Sequence, residues 1–93
     1  MPFAVVNRAR VEDRAAAQRD LEQNVIPRVK QMDGLRKAVW TLDDLGSKGL
    51  AILVFDTRHQ AEALVERIRS GQVQPGPGVI FEGNEILEVV GEV

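Results

Sequence analysis

An uninterrupted apolar run, Leu50 to Phe55, is the feature that most limits how this chain can fold. A strand with no polar alternation predicts that both of its faces are covered, as in the middle of a sheet. Directly after the run, apolar residues recur at the spacing of one helix face: Ala61, Leu64, Val65 and Ile68. The same spacing directs the polar residues of this helix to solvent, namely Glu62, Glu66, Arg67 and Arg69.

The ends of this helix are also marked in the sequence. Thr57, followed three residues later by Gln60, is typical of a capping box, which satisfies two backbone N–H groups that have no partner inside the helix. Gly71 is placed to end the helix, because glycine readily adopts the positive φ favoured just after a helix. The segment from Lys48 to Arg69 therefore predicts a central strand that leads into an amphipathic helix.

One strand and one helix are predicted near the start of the chain. Phe3 to Val11 opens with four apolar residues and is typical of a first strand. A helical pattern follows from Asp13, with one apolar stripe made of Leu21, Val25, Val29 and Met32. Pro27 lacks a backbone N–H and crowds the preceding turn, so we expect a kink or a break near Asn24–Ile26. Asp33 and Gly34 then end the helix.

A hairpin is predicted in the middle of the chain. Leu35 to Leu42 contains Val39, Trp40 and Thr41 and is typical of a second strand. The polar turn Asp43 to Ser47 returns the chain into the apolar run, so the two strands are expected to pair in antiparallel.

The last part of the chain is predicted to form a fourth strand. Gln74 to Gly78 alternates proline and glycine and is incompatible with regular structure. Beyond it we expect strand over Val79–Phe81 and again over Ile86–Val93. Asn84 lies in the apparent interruption, so the strand is expected to be bulged or split there.

The order β, α, β, β, α, β predicts a single ferredoxin-like α+β domain over residues 1–93, with a four-stranded antiparallel sheet and the first and third strands in its middle. Two helices cover only one face of such a sheet. The apolar run nevertheless offers large side chains to both faces, and exposing each would forgo about 1.5–3 kcal/mol. We therefore expect a second copy of the chain on the open face, as a twofold homodimer.

Composition excludes several classes of function. The chain has 12 basic and 14 acidic residues and a net charge of -2, so neither nucleic acid nor an anionic membrane is an expected partner. It has no cysteine, which excludes disulfides, thiolate metal sites and a cysteine nucleophile. No carboxylates or histidines have the spacing of a metal site. With no leader pattern and no membrane-spanning apolar run, a cytoplasmic protein is expected.

Three segments carry a resemblance to a known family: FAVVNRAR from Phe3, VIPRVKQMDGLRKAVW from Val25, and the strand-to-helix stretch Leu53 to Leu64. With the closing EILEVVGEV, they resemble the dimeric α/β-barrel superfamily, and within it the antibiotic-biosynthesis-monooxygenase-like (ABM-like) domains, over nearly the full length. The resemblance implies a dimeric α/β barrel with a pocket between the helices and the sheet. Some members oxidise polycyclic phenols without a cofactor, and others cleave haem.

The resemblance also bears on cofactors. The haem-degrading members use an asparagine near the end of the first strand, a tryptophan near the end of the third, and a histidine beyond the start of the second helix. Asn7 matches the asparagine. Phe55 stands where the tryptophan is expected, and Ile68 to Val79 contains no histidine. Haem is therefore not expected, and no other cofactor is implied.

Asn7 is the candidate catalytic residue, because an amide can hold a phenolate or a peroxide and stabilise developing charge. Its alternative role is a local hydrogen bond at the end of a strand. Arg8, Trp40 and Phe55 are the candidate pocket residues: the arginine would neutralise an anionic ligand and the aromatic rings would form the walls. A solvated ion pair for Arg8 and core or dimer packing for the two rings are the alternatives. His59, the one histidine, is expected to be an exposed helix residue.

A different class of function is suggested by Lys48 to Phe55, which resembles the third-strand motif of RNA-recognition-motif domains. Leu50 and Ile52 stand where those domains place the aromatic rings that stack on bases, so RNA binding is not expected. The sequence thus predicts a small dimeric ABM-like protein that binds a small apolar or aromatic compound, with cofactor-independent monooxygenation as the first enzymatic hypothesis. The alternative is a non-catalytic dimeric module for ligand binding or assembly.

Overall fold

The computed structural model describes all residues from Met1 to Val93 and contains four strands and two helical segments. The strands are β1 (Phe3–Val11), β2 (Leu35–Leu42), β3 (Lys48–Phe55) and β4 (Val79–Glu88). The first helical segment comprises α1 (Arg14–Asp20), a π-helical turn (Leu21–Val25) and α2 (Ile26–Val29), and the second is α3 (Arg58–Arg69). None of these helices is long and apolar enough to cross a membrane.

The strands form one antiparallel sheet in the order β2-β3-β1-β4. This is the ferredoxin-like arrangement predicted from the element order, with the first and third strands at the centre. Val5 lies opposite Leu53 and Phe3 lies opposite Phe55 in the central pair. The hairpin of β2 and β3 turns at Asp43, whose carboxylate accepts the backbone N–H groups of Lys48 and Ser47 at 3.0 and 2.9 Å. These bonds lower the pKa of Asp43 below its ordinary value.

The first helical segment is irregular where the proline predicts it to be. Pro27 has no N–H, and its ring crowds the carbonyl four residues before it. The chain widens into the π-helical turn just before this point, and Ile26 N–H donates to the carbonyl of Leu21, five residues back. The helix therefore continues through a wider turn instead of breaking.

The second helical segment begins and ends as predicted. Gln60 N–H donates to Thr57 Oγ1 at 3.2 Å, and Thr57 N–H donates to Gln60 Oε1 at 3.1 Å, which completes the capping box. Gly71 follows the helix with φ 81. The local signals in the sequence were sufficient here because both ends depend on residues within one turn.

The predicted end of the last strand is wrong. β4 runs without interruption through Asn84 and stops at Glu88, whereas strand was expected to Val93. Glu88 lies opposite Phe3, the first residue of β1, so no β1 residue remains for the chain to pair with. The strand does contain a bulge, but it lies at Glu82 and not at Asn84: Arg8 lies opposite Gly83 and Ala9 lies opposite Phe81, whereas Asn84 pairs regularly with Asn7. Beyond Glu88, Val89 N–H donates to the Pro2 carbonyl at 2.9 Å.

The two faces of the sheet have different surroundings. The face towards the helices contains the core, which consists of Val5, Leu53 and Phe55 from the sheet with Val29, Ala61, Leu64 and Val65 from the helices. The opposite face, here called the outer face, alternates with it along each strand. Its large apolar side chains are half-buried at Val6, Leu50 and Ile52, and exposed at Val39, Ile80 and Leu87. No helix of this chain covers the outer face.

Candidate functional site

A cavity of about 950 Å³ separates the first helical segment from the sheet. α3 packs against β1, β3 and β4, whereas the first helical segment stands away from the strands. α1 and the π-helical turn contribute no buried residue, and Val29 at the end of α2 is the one buried side chain of the whole segment. α3 and the loop that follows it form the remaining walls. The cavity volume lies in the range of ligand pockets in proteins, roughly 300–1,000 Å³.

The cavity is wide because small residues line the sheet beneath it. Ala9, Gly49 and Ala51 project little side chain from the strands. Larger apolar groups surround this floor, among them Val5, Val11, Leu21, Val25, Met32, Trp40 and Phe81. Leu21, at the start of the apolar stripe, therefore faces a space that it does not fill, whereas Val25, Val29 and Met32 further along the stripe also pack against the core.

Asn7 is the polar residue on the floor of the cavity, and it is the single polar or charged residue that is buried, with 8% of its surface exposed. Its Oδ1 has no hydrogen-bond partner. Leaving a buried acceptor unsatisfied costs about 1–3 kcal/mol. Because native proteins rarely retain such groups, this amide is a strong candidate for contact with a ligand.

Trp40 and Asn7 belong to one row of residues that crosses the sheet. Trp40 on β2 lies opposite Ala51 on β3, which lies opposite Asn7 on β1, which in turn lies opposite Asn84 on β4. Neighbouring strands are about 4.8 Å apart, so the backbones at Trp40 and Asn7 are separated by roughly 10 Å across a single alanine. Of the candidate residues, the structure therefore brings Asn7 and Trp40 together at the cavity.

Arg8 and Phe55 do not line the cavity. Successive residues of a strand point to opposite faces, so Asn7 and Arg8 cannot share one pocket on the sheet. Arg8 lies on the outer face, where its Nη1 is 3.4 Å from Glu85 Oε1. Phe55 faces the helices but is 1% exposed in the core beside α3. His59 is exposed at the start of α3, as predicted.

Arg67 is a cavity residue that the sequence pattern did not identify. It was expected to point to solvent, but it is half-buried and lines the cavity with Leu64 and Ile68. The three residues have the i, i+3, i+4 spacing of one helix face. The spacing from Leu64 to Arg67 places Arg67 on the same helix face as Leu64. This position was missed because a charged residue is ordinarily expected to face solvent.

Metal-ligating side chains do not cluster anywhere in this protein: no group of three or more histidine, aspartate or glutamate residues could hold an ion.

Arg36, which lies outside the cavity, shows the effect of charged neighbours on a pKa. Its guanidinium donates to Asp56 and pairs with Glu92, each at 3.1 Å, and these carboxylates raise the pKa of Arg36.

No protein-family model matches the chain, and no curated protein matches it significantly. A solved structure, "Structure of Rv0793 from Mycobacterium tuberculosis", is similar to it with a TM-score of 0.60 and 20% sequence identity, over 99% of this chain and 98% of that chain. This likeness establishes the fold. At that level of identity it does not extend to function, and the resemblance to ABM-like domains remains a prediction.

Proposed function

We propose that this protein binds a small, mainly apolar or aromatic compound in the cavity beneath the first helical segment. The observation that carries the proposal is the buried Asn7 Oδ1, which has no partner within the chain and borders a largely apolar space. Ligand pockets are typically apolar with a few polar groups that fix orientation. A ligand hydroxyl at Asn7 would satisfy the amide and select the compound that carries it.

The row from Trp40 to Asn7 supports an aromatic ligand. Ala51 leaves the space above it empty, and an indole on one side offers a large apolar surface for stacking. A planar ring system over Ala51 would contact Trp40 along one edge and present a hydroxyl to Asn7 at the other. In this arrangement Trp40 and Asn7 position the compound.

Cofactor-independent oxygenation is the reaction we propose for such a ligand, following the resemblance to ABM-like domains. A CH₂ carbon activated by a phenolic ring loses a proton to solvent, and the resulting carbanion adds dioxygen to give a peroxide anion. The peroxide takes a proton back from solvent, and the hydroperoxide loses water to leave a carbonyl. One oxygen atom enters the product and the other leaves as water, so the substrate supplies all four electrons. The protein contributes orientation, through a substrate hydroxyl that donates to Asn7 Oδ1, and stabilisation of the anion, for which Asn7 Nδ2–H is the available donor.

The outer face supports the proposal that the protein acts as a homodimer. Val39 and Leu87 are 43% and 47% exposed there, beside half-buried Val6, Leu50 and Ile52. A contiguous apolar surface of this kind is typical of an interaction site. A second copy packed sheet to sheet would bury it and produce the α/β barrel that the resemblance implies.

The experiment that tests the reaction compares two asparagine variants. We expect Asn7→Ala to abolish oxygen uptake above the uncatalysed rate with 1,8-dihydroxyanthrone, measured at an oxygen electrode, while circular dichroism stays unchanged. Asn84→Ala is the matched control, because Asn84 lies opposite Asn7 on β4 but does not line the cavity. Turnover that survives Asn7→Ala would refute the role of this residue.

Non-catalytic ligand binding is the second candidate, and one observation favours it. Asn7 is the only buried polar residue, so the cavity floor holds no buried group that could take the substrate proton. If 1,8-dihydroxyanthrone binds the wild-type protein without faster oxygen uptake, the protein is a binding module for that class of compound.

A further inference from the structure

We infer that the cavity ligand is an aromatic acid whose carboxylate binds Arg67. The inference rests on the proposed function, since it names the class of compound that the same cavity takes. Arg67 belongs to the best-anchored wall, because α3 packs on the sheet through buried Ala61, Leu64 and Val65. Arg67 is half-buried and lies at the edge of an otherwise apolar helix face.

The arginines outside the cavity almost all have partners. Four of them lie within 4.0 Å of a carboxylate: Arg8, Arg10, Arg36 and Arg69. Arg58 instead stacks over the Phe3 ring at 4.8 Å. Arginine is thus neutralised or stacked over most of this surface.

The cavity differs in this respect. Three arginines line it, Arg14, Arg28 and Arg67, and none lies within ion-pair distance of a carboxylate. Two acids also line it, Asp20 and Asp33, and Asp20 accepts a hydrogen bond from Asn24 Nδ2 at 2.8 Å. The lining therefore carries a net charge of +1, although the whole chain carries -2.

Arg67 is the member of this group suited to hold an acid. Arg14 and Arg28 are exposed, and water screens their charges, whereas Arg67 is half-buried. A charge-assisted bond strengthens as water is excluded, and the planar guanidinium matches a carboxylate with two parallel hydrogen bonds. One guanidinium is enough to bind a carboxylate, whereas a phosphate with two negative charges would require further cationic side chains beside Arg67.

The test uses two probes that differ only in the acid group, 6-hydroxy-2-naphthoic acid and 2-naphthol. Trp40 is the only tryptophan and the chain has no tyrosine, so quenching of intrinsic fluorescence reports on the cavity. We expect the wild-type protein to bind the acid on the order of tenfold more tightly than the naphthol, as charge-assisted hydrogen bonds give. Arg67→Gln should remove this preference while leaving the affinity for 2-naphthol within about twofold.

Arg69→Gln is the matched control. Arg69 lies two residues further along α3, pairs with Glu66 at 3.5 Å and does not line the cavity. The control should keep the full preference for the acid. In the wild-type protein, raising the salt concentration should weaken binding of the acid and leave binding of 2-naphthol unchanged. This comparison needs no variant, so it tests whether a charge holds the acid even if Arg67→Gln fails to fold, and acid binding that does not change with salt would overturn the inference.

The outcomes separate the two proposals. Equal affinity for both probes, or an acid preference that survives Arg67→Gln, would overturn the inference and leave the apolar cavity site in place. If neither probe binds the wild-type protein, the proposed function and the inference are both overturned. A preference for the acid that disappears in Arg67→Gln and persists in Arg69→Gln supports both.

Discussion

Asn7 and Arg8 show how far single residues could be predicted from this sequence. The family resemblance singles out Asn7, and the structure places it on the cavity floor. The same resemblance does not determine which neighbours share its pocket. Strand alternation separates Asn7 from Arg8, while pairing with Ala51 brings Trp40 close from a strand more than thirty residues away in sequence. Strand register depends on contacts between residues that are distant in sequence. The neighbours of a site residue can therefore be predicted only when the pairing of the strands is known as well as the motif.

Replacement of Asn7 by leucine should separate stability from function. The substitution removes a buried acceptor without a partner and adds apolar surface beside the cavity, so we expect Asn7→Leu to raise the free energy of unfolding by about 1 kcal/mol. It should also abolish quenching of Trp40 by 2-naphthol. Urea denaturation at one fixed protein concentration measures the first effect and fluorescence the second. A lower stability would mean that Asn7 Oδ1 is satisfied in solution by a group such as water.

Helices and strands were predictable wherever their determinants lie close together in sequence. The Thr57 capping box, the wide turn before Pro27 and the hairpin at Asp43 depend on contacts within about five residues. The cavity depends on the size of the residues opposite the helix, which the periodicity of the helix sequence does not indicate. The stripe containing Leu21 and Val25 predicts an apolar face, but it does not show that the residues opposite it on the sheet, Ala9, Gly49 and Ala51, are too small to fill the space between them. Pattern alone cannot distinguish a packed face from one that lines a pocket.

Gly34 links the start of β2 to the start of α3, and a double-mutant cycle should reveal the link. Gly34 has φ 74, and a Cβ there would overlap the side chain of Gln60. We expect Gly34→Ala to lower the free energy of unfolding by roughly 1–2 kcal/mol through backbone strain. Displacement of the capping side chain adds about 1 kcal/mol. Urea denaturation at a fixed protein concentration measures both effects.

Gln60→Ala supplies the other arm of the cycle. It removes the side chain that a Cβ at Gly34 would displace, so Gly34→Ala made in that background should cost only the strain. The double variant should therefore be about 1 kcal/mol more stable than the sum of the single effects predicts. Strict additivity would show that the cap adapts to a side chain at position 34 without being lost.

At the scale of the whole molecule, the topology followed from the order of the elements, because few arrangements join β, α, β, β, α, β with short connections. The bend of the chain after β4 could not be predicted from the order of the elements, because the end of a strand is set by the length of the strand with which it pairs. Glu88 meets the first residue of β1, and Glu92 then reaches Arg36 near the far edge of the sheet. The terminal residues thus cross the end of the sheet instead of extending it.

The outer face gives the last prediction, which concerns assembly. Ile52 lies between Val6 and Val39 in register, at the centre of the apolar part of this face. We expect the wild-type protein to have a mass near twice 10.3 kDa by light scattering on a sizing column. Ile52→Asp should convert it to a monomer, because a carboxylate buried in an apolar interface without a partner is strongly unfavourable.

Ala63→Asp is the control for this change of charge, because it adds the same negative charge and Ala63 is exposed on α3, away from the outer face. It should leave the mass unchanged. The Arg8–Glu85 and Arg10–Glu82 pairs border the apolar centre, so their charges would lie at the rim of the interface, where water reaches them. The dimer should therefore persist at high salt, since its stability comes from the aliphatic centre. A folded wild-type monomer at every concentration would mean that these side chains are left to water or to a different partner.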